Sequence, residues 1–90
     1  MFFSNDTKLY DFGTKLAVWL KAWPIDGLDP ASWRTDRYGS RINWSAYGDR
    51  QSVYGWEIDH IIPQSKGGCD DIVNLQPLHW KNNAHKSDKI

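Results

Sequence analysis

The chain has 90 residues, with 11 basic and 11 acidic side chains, three histidines and one cysteine. A chain of this length forms one domain with a modest core, and its sequence has no apolar stretch near the roughly 18–20 residues of a membrane span. The zero formal net charge argues against a protein that coats nucleic acid by bulk electrostatics. Because Cys69 has no second cysteine to pair with and the N-terminus does not resemble a signal peptide, we expect a cytoplasmic protein.

The first half of the chain predicts one helix followed by irregular structure. Between residues 7 and 23 the apolar side chains recur at steps of three and four, which predicts a helix with one apolar face, capped by Asn5 or Asp6 and ended by Pro24. The residues of that face are Leu9, Phe12, Leu16, Trp19, Leu20 and Trp23. Residues 34–55 are predicted to be irregular, with a short strand at residues 41–42 and a helical turn at residues 44–47.

The second half of the chain predicts the order strand, loop, strand, helix. Residues 55–62 alternate in a segment rich in isoleucine, which indicates a strand that Pro63 ends. A polar loop at residues 64–71 contains Gly67 and Gly68, and a second extended segment covers residues 72–78. Residues 79–87 are compatible with a helix.

In the first of these strands, the adjacent residues Asp59 and His60 have side chains that could take part in catalysis or metal binding. A buried carboxylate is costly unless it is paired, and either a metal ion or a nearby lysine or arginine would pair with it. Two consecutive asparagines, Asn82 and Asn83, lie in the terminal helix, where their amides compete with the backbone. Since adjacent strand residues point to opposite faces, we expect the strand to end near Asp59 and His60 so that both reach one site.

These residues belong to a longer pattern that resembles the HNH nuclease motif. Residues 56–63 (WEIDHIIP), 66–68 (KGG) and 74–78 (NLQPL) are followed by Asn83 and Lys86, in the order and at the intervals of that family. The resemblance implies an α+β fold: a small single domain with an N-terminal helix and a C-terminal ββα-metal finger, in which two antiparallel strands and a helix hold one cation. It divides the chain into a helical or irregular bracing region at residues 1–54 and the finger at residues 55–90.

The same resemblance implies the role of each site residue. His60 is expected to be the general base, Asp59 and Asn83 the metal ligands, and Asn74 the residue that holds the loop so that His60 is aimed correctly. A neutral imidazole is suited to take a proton from water, and a cation stabilises the charge of the phosphate and of the leaving oxygen. Oxygen ligands favour Mg²⁺ or Mn²⁺, with Zn²⁺ and Ni²⁺ also compatible. The expected function is therefore hydrolysis of phosphodiester bonds, in DNA rather than RNA.

The sequence departs from the family at the cysteine pairs with which many HNH domains bind a structural zinc. The first pair is absent, and the positions of the second hold His79 and Asn82. We therefore expect no structural zinc, with tryptophan packing in its place.

Contacts with nucleic acid are expected at basic side chains near the motif, for which an ordinary solvated surface is the alternative. These residues are Lys66, Lys86, Arg41 and His85. The alternative functions are a non-catalytic nucleic-acid-binding or accessory module that keeps the finger, and a tryptophan-packed domain without a metal. We expect no membrane association, a monomer or weak homodimer in a bacterial or phage-infected cell, and specificity supplied by a larger partner or a dimer.

Overall fold

The computed structural model describes residues 9–87, in which two helices accompany a three-stranded and a two-stranded antiparallel sheet. In chain order the elements are α1 (Phe12–Trp19), β1 (Trp23–Pro24), β2 (Trp33–Thr35), β3 (Arg41–Asn43), β4 (Trp56–His60), β5 (Leu75–His79) and α2 (Trp80–Ser87). The predicted α+β fold is confirmed. Neither helix of the described part of the chain has the length and apolar character needed to cross a membrane.

Helix α1 is shorter than the predicted helix over residues 7–23, and that prediction is wrong at both ends. Asp11 caps the helix, because its carboxylate accepts a hydrogen bond from the backbone N–H of Thr14 at 2.7 Å. This bond lowers the pKa of the Asp11 carboxyl below its ordinary value. The predicted caps Asn5 and Asp6 lie outside the described residues, and the chain beyond Trp19 turns into strand β1.

The predicted apolar face of this helix is also wrong, since Trp19 is its one buried member. Leu9 is 94% exposed, and the other four members are exposed as well. The buried side chains of this segment are Val18, Trp19 and Ala22. The buried residues lie at and just after the C-terminal end of the short helix, so helical spacing alone did not identify them.

The N-terminal half contains a sheet that the sequence analysis did not predict. Strands β1, β2 and β3 pair in that order, with Trp33 opposite Asn43 and Thr35 opposite Arg41. The predicted strand at residues 41–42 is confirmed as part of β3, and the predicted helical turn is the 3₁₀ turn Trp44–Ala46. Strands β1 and β2 have two and three residues, which is too short to produce a detectable alternation.

Three tryptophans join the two halves of the chain in one core. The rings of Trp19, Trp44 and Trp56, the tryptophan cluster, lie with centroids 5.1 to 6.0 Å apart. Aromatic rings at such separations add favourable edge and offset contacts to the burial of their large area. The ammonium of Lys21, just after α1, also donates to the carbonyl oxygens of Ile72 and Leu75.

Strands β4 and β5 and helix α2 form the predicted strand–loop–strand–helix unit. Asp59 lies opposite Gln76 in the antiparallel pair, and His60 lies opposite Leu75. Strand β5 starts at Leu75, later than predicted, because residues 72–74 form a 3₁₀ turn. Helix α2 follows β5 directly, and its first backbone N–H, from Trp80, donates to Gly55 at 3.1 Å.

Candidate active site

Helix α2 lies across the polar face of strand β4. Glu57 and Asp59 are two residues apart and therefore share one face of the strand, while Asn83 and Lys86 are three apart and share one face of the helix. The amide nitrogen of Asn83 donates to Glu57 Oε1 at 2.8 Å, and the Lys86 ammonium donates to Asp59 Oδ1 at 3.1 Å. The strand and helix thus enclose a layer of polar side chains.

Asp59 is almost fully buried and is paired from two directions. Its Oδ2 accepts from the amide of Gln76 at 2.8 Å, across the strand pair, and its carboxylate contacts Lys86 Nζ at 3.1 Å. The sequence analysis allowed either a metal ion or a basic side chain as the partner of this carboxylate, and in the structure a basic side chain, Lys86, pairs with it. The same ammonium also donates to the carbonyl oxygen of His60 at 2.8 Å.

Glu57 orients Asn83, and the sequence analysis did not identify this support. Arg50 forms a bidentate ion pair with the buried Glu57 carboxylate, in which Nε donates at 2.6 Å and Nη2 at 2.8 Å, and this pair fixes the carboxylate. Because the Asn83 amide nitrogen bonds to Glu57, the orientation of this amide is defined. The sequence feature that could have revealed this support is the position of Glu57, two residues before Asp59 and therefore on the same face of the strand.

His60 is the last residue of β4, as expected for a strand that ends where the site begins. Its Nε2 lies 2.9 Å from Oδ1 of Asp70, which belongs to the loop between β4 and β5. Asp59, His60, Asn83 and Lys86 all line one cavity of about 270 Å³, which Tyr10 also lines. Asp59 and His60 thus line the same cavity although they are neighbours in one strand.

Asn74 lies beneath the loop and does not line the cavity. Its Oδ1 accepts from the backbone N–H of Ile62 at 2.8 Å, and its amide nitrogen donates to the carbonyl oxygens of Ile62 and Cys69 at 3.0 and 2.7 Å. Gly68 permits this arrangement, because a Cβ at that position would lie 1.7 Å from Ile62 O and 2.9 Å from Asn74 Nδ2. Asn74 therefore connects the two ends of the loop that begins after His60.

The basic residues predicted to contact nucleic acid are only partly brought together. Lys66, His85 and Lys86 line a second cavity of about 590 Å³, which shares Pro63 and Lys86 with the first. Arg41 lines neither cavity, and its guanidinium lies 5.8 Å from the centre of the Trp33 ring. Arg41 lies on β3, which pairs with β2 in the N-terminal sheet, and its contact with nucleic acid stays a prediction.

His79 and Asn82, at the positions of the missing cysteine pair, both bond to Asp36. This buried carboxylate accepts from the backbone N–H of His79 at 2.9 Å and from the Asn82 amide at 2.8 Å. The His79 ring bonds to the Val53 carbonyl oxygen at 2.8 Å and accepts from the Lys81 N–H, so it belongs to the framework and not to the cavity. Hydrogen bonds to Asp36 therefore connect these two positions to the N-terminal half of the chain, and the sequence analysis did not identify Asp36.

The donor atoms at the first cavity fit a divalent cation bound through few protein ligands. Asp59 supplies carboxylate oxygens and Asn83 an amide oxygen, and Mg²⁺ typically takes one or two carboxylates and completes its shell with water and substrate phosphate. The ammonium bonded to Asp59 is itself a positive charge at this position. Within residues 9–87 no group of three or more histidine, cysteine, aspartate or glutamate side chains is placed to hold a metal.

Residues 45–89, half of the chain, match the HNH endonuclease family. The chain belongs to the HNH endonuclease family. Members of this family generally use a divalent metal ion. A relative from Enterobacteria phage T4, named "Probable mobile endonuclease C", is 53% identical over 32 residues, which are 36% of this chain and 15% of the relative. This chain thus matches only a small part of that protein. No solved structure matches the chain.

Proposed function

We propose that this HNH protein is a metal-dependent endonuclease that hydrolyses phosphodiester bonds of DNA. The observation that carries the proposal is the meeting of Asp59, His60 and Asn83 at one cavity of the ββα unit. Family membership supports nuclease chemistry, and the placement of these three side chains supports their individual roles.

His60 acts as the general base in this proposal. The imidazole takes a proton from a water molecule, whose oxygen forms a bond to phosphorus as the bond from phosphorus to the 3′ oxygen breaks. The leaving 3′ oxygen takes a proton from solvent, so the products carry a 5′-phosphate and a 3′-hydroxyl. A positioned base of this kind contributes typically 10²–10⁴ in rate.

Asp59 and Asn83 are the residues that would hold one divalent cation, Mg²⁺ or Mn²⁺ by the hardness of their oxygens. When bound, the cation supplies Lewis-acid stabilisation of the charge on the phosphate and the leaving oxygen. Gln76 holds one oxygen of Asp59, and Glu57 holds the amide nitrogen of Asn83, so both ligands are oriented by bonded neighbours.

The substrate strand runs along the two adjoining cavities in this proposal. Lys66 and His85 line the larger cavity and Lys86 lines both, so three side chains able to bind phosphate follow one path past His60. Because the chain has no net charge, its DNA affinity depends on these few contacts, and a partner or a second copy supplies further specificity.

Cleavage of supercoiled plasmid in Mg²⁺, with and without EDTA, tests the proposed function. We expect cleavage by the wild type to stop with EDTA, and His60→Ala to lower the rate by at least about a hundredfold because the general base is lost. Gln51→Ala is the control, since Gln51 is exposed and lines neither cavity. It should retain most of the activity.

Two results would contradict the proposal. Cleavage by His60→Ala at the wild-type rate would remove His60 from the chemistry. Tight DNA binding without cleavage in Mg²⁺ or Mn²⁺ would favour the non-catalytic module instead.

A further inference from the structure

The loop between β4 and β5 places a carboxylate against the ring of His60. Oδ1 of Asp70 lies 2.9 Å from His60 Nε2, and the two side chains are 42% and 17% exposed. The hydroxyl of Tyr10, which lines the same cavity, donates to the same Asp70 oxygen at 3.4 Å. Asp70 therefore contacts the ring of the proposed general base directly.

The position of Asp70 is fixed by Asn74. The amide nitrogen of Asn74 donates at 2.7 Å to the carbonyl oxygen of Cys69, the residue that precedes Asp70. The same side chain bonds to both backbone groups of Ile62, two residues after His60. Through these bonds Asn74 fixes the distance between the two segments that carry His60 and Asp70. This is a physical means by which Asn74 could aim His60, the role expected for it from the sequence.

The contact determines which ring nitrogen is the proton acceptor. A neutral imidazole has one N–H donor and one acceptor nitrogen, and a carboxylate bonded to Nε2 favours the proton on that atom. His60 Nδ1 has no hydrogen-bond partner among residues 9–87. Resting on the proposed function, we propose that Asp70 is a positioning residue for His60: it holds the Nε2–H and orients the ring so that Nδ1 takes the proton from water.

Replacement of Asp70 tests this role through the separation of kcat from KM. We expect Asp70→Ala to lower kcat by about ten- to a hundredfold, by analogy with the cost of removing a carboxylate that orients a metal-ligating histidine. Asp70→Asn keeps an oxygen that accepts from Nε2–H and should recover part of kcat. Since exposed ion pairs contribute little to stability, both variants should fold, which circular dichroism checks.

Asp71→Ala is the matched control for charge. Asp71 is the exposed neighbour of Asp70, and its side chain makes no capping hydrogen bond. By electrostatics alone, removing either carboxylate should improve DNA binding and lower KM equally. A fall in kcat confined to the Asp70 variants therefore supports the positioning role, whereas equal kcat values for Asp70→Ala, Asp71→Ala and the wild type overturn it.

Long-range ¹H–¹⁵N NMR of the neutral His60 ring provides a reading that does not depend on activity. We expect the proton on Nε2 in the wild-type protein, and a proton on Nδ1 would overturn the inference. The results distinguish failure of this inference from failure of the proposed function. If only the role of Asp70 is wrong, His60→Ala is inactive while Asp70→Ala is fully active. If the proposed function is wrong, His60→Ala still cleaves.

Discussion

Lys86 shows how a single side chain changes the interpretation of a motif. The sequence analysis placed it among surface residues that contact nucleic acid, yet its ammonium donates to Asp59 and to the carbonyl oxygen of His60. The motif predicted that Asp59 needs a positive partner, because a buried carboxylate is costly alone. It did not predict that the chain supplies such a partner itself, since this contact joins residues 27 positions apart.

Replacement of this lysine is expected to strengthen metal binding. Lys86→Met removes a cation that shares the Asp59 carboxylate, so the Mn²⁺ affinity measured by calorimetry should rise, on the order of tenfold. Lys66→Met is the control, because Lys66 lines only the larger cavity. An affinity that falls or stays unchanged in Lys86→Met would show that the ammonium does not compete for this carboxylate.

The elements of the ββα unit were predictable, whereas those of the N-terminal half largely were not. Strand β4 carries a clear alternation and ends near a proline, and the polar glycine loop and α2 follow in the predicted order. The short strands β1 and β2 carry no period, and helix α1 begins only after its cap, Asp11, because a local cap overrides a longer apolar spacing. Local signals therefore identified the unit that holds the site, but not the sheet that supports it.

Gly68 tests the importance of the loop between β4 and β5. Gly68→Ala should lower both the stability and the cleavage rate, because its Cβ would meet the carbonyl oxygen of Ile62 and force apart the backbone that Asn74 connects. Gly13→Ala is the same substitution in helix α1, where the nearest atom to the new Cβ is 3.8 Å away. It should raise the free energy of unfolding by about 0.5–1 kcal/mol. Urea unfolding and plasmid cleavage measure both, and equal effects of the two substitutions would refute this view of the loop.

Two sets of contacts join the N-terminal and C-terminal halves of the molecule: the apolar tryptophan cluster and the hydrogen bonds to Asp36. The tryptophan cluster was foreseeable from the aromatic composition, since large rings are the usual means by which a short chain builds a core. The connection through Asp36 was not, because it forms between residues more than 40 positions apart. No local pattern distinguishes Asp36 from an exposed turn aspartate.

Asp36→Asn is expected to destabilise the fold although it preserves the shape of the side chain. The carboxylate is 2% exposed and accepts from the N–H groups of Tyr38, Ser40 and His79 as well as from Asn82. The substitution would place an amide nitrogen, itself a donor, where a carboxylate oxygen now accepts hydrogen bonds. We expect this to lower the free energy of unfolding by about 1–3 kcal/mol. The urea midpoint should fall accordingly, and that of Asp26→Asn, in an exposed turn, should not. Equal midpoints would mean that this connection does not contribute to stability.

The most direct measurement of the central claim is the anomalous scattering of a crystal soaked in Mn²⁺. The account predicts one peak in the first cavity, about 2.0–2.3 Å from a carboxylate oxygen of Asp59 and from the amide oxygen of Asn83, with the Lys86 ammonium moved away from Asp59. A peak bound by other residues, or an Asp59 that keeps Lys86 and takes no metal, would contradict it.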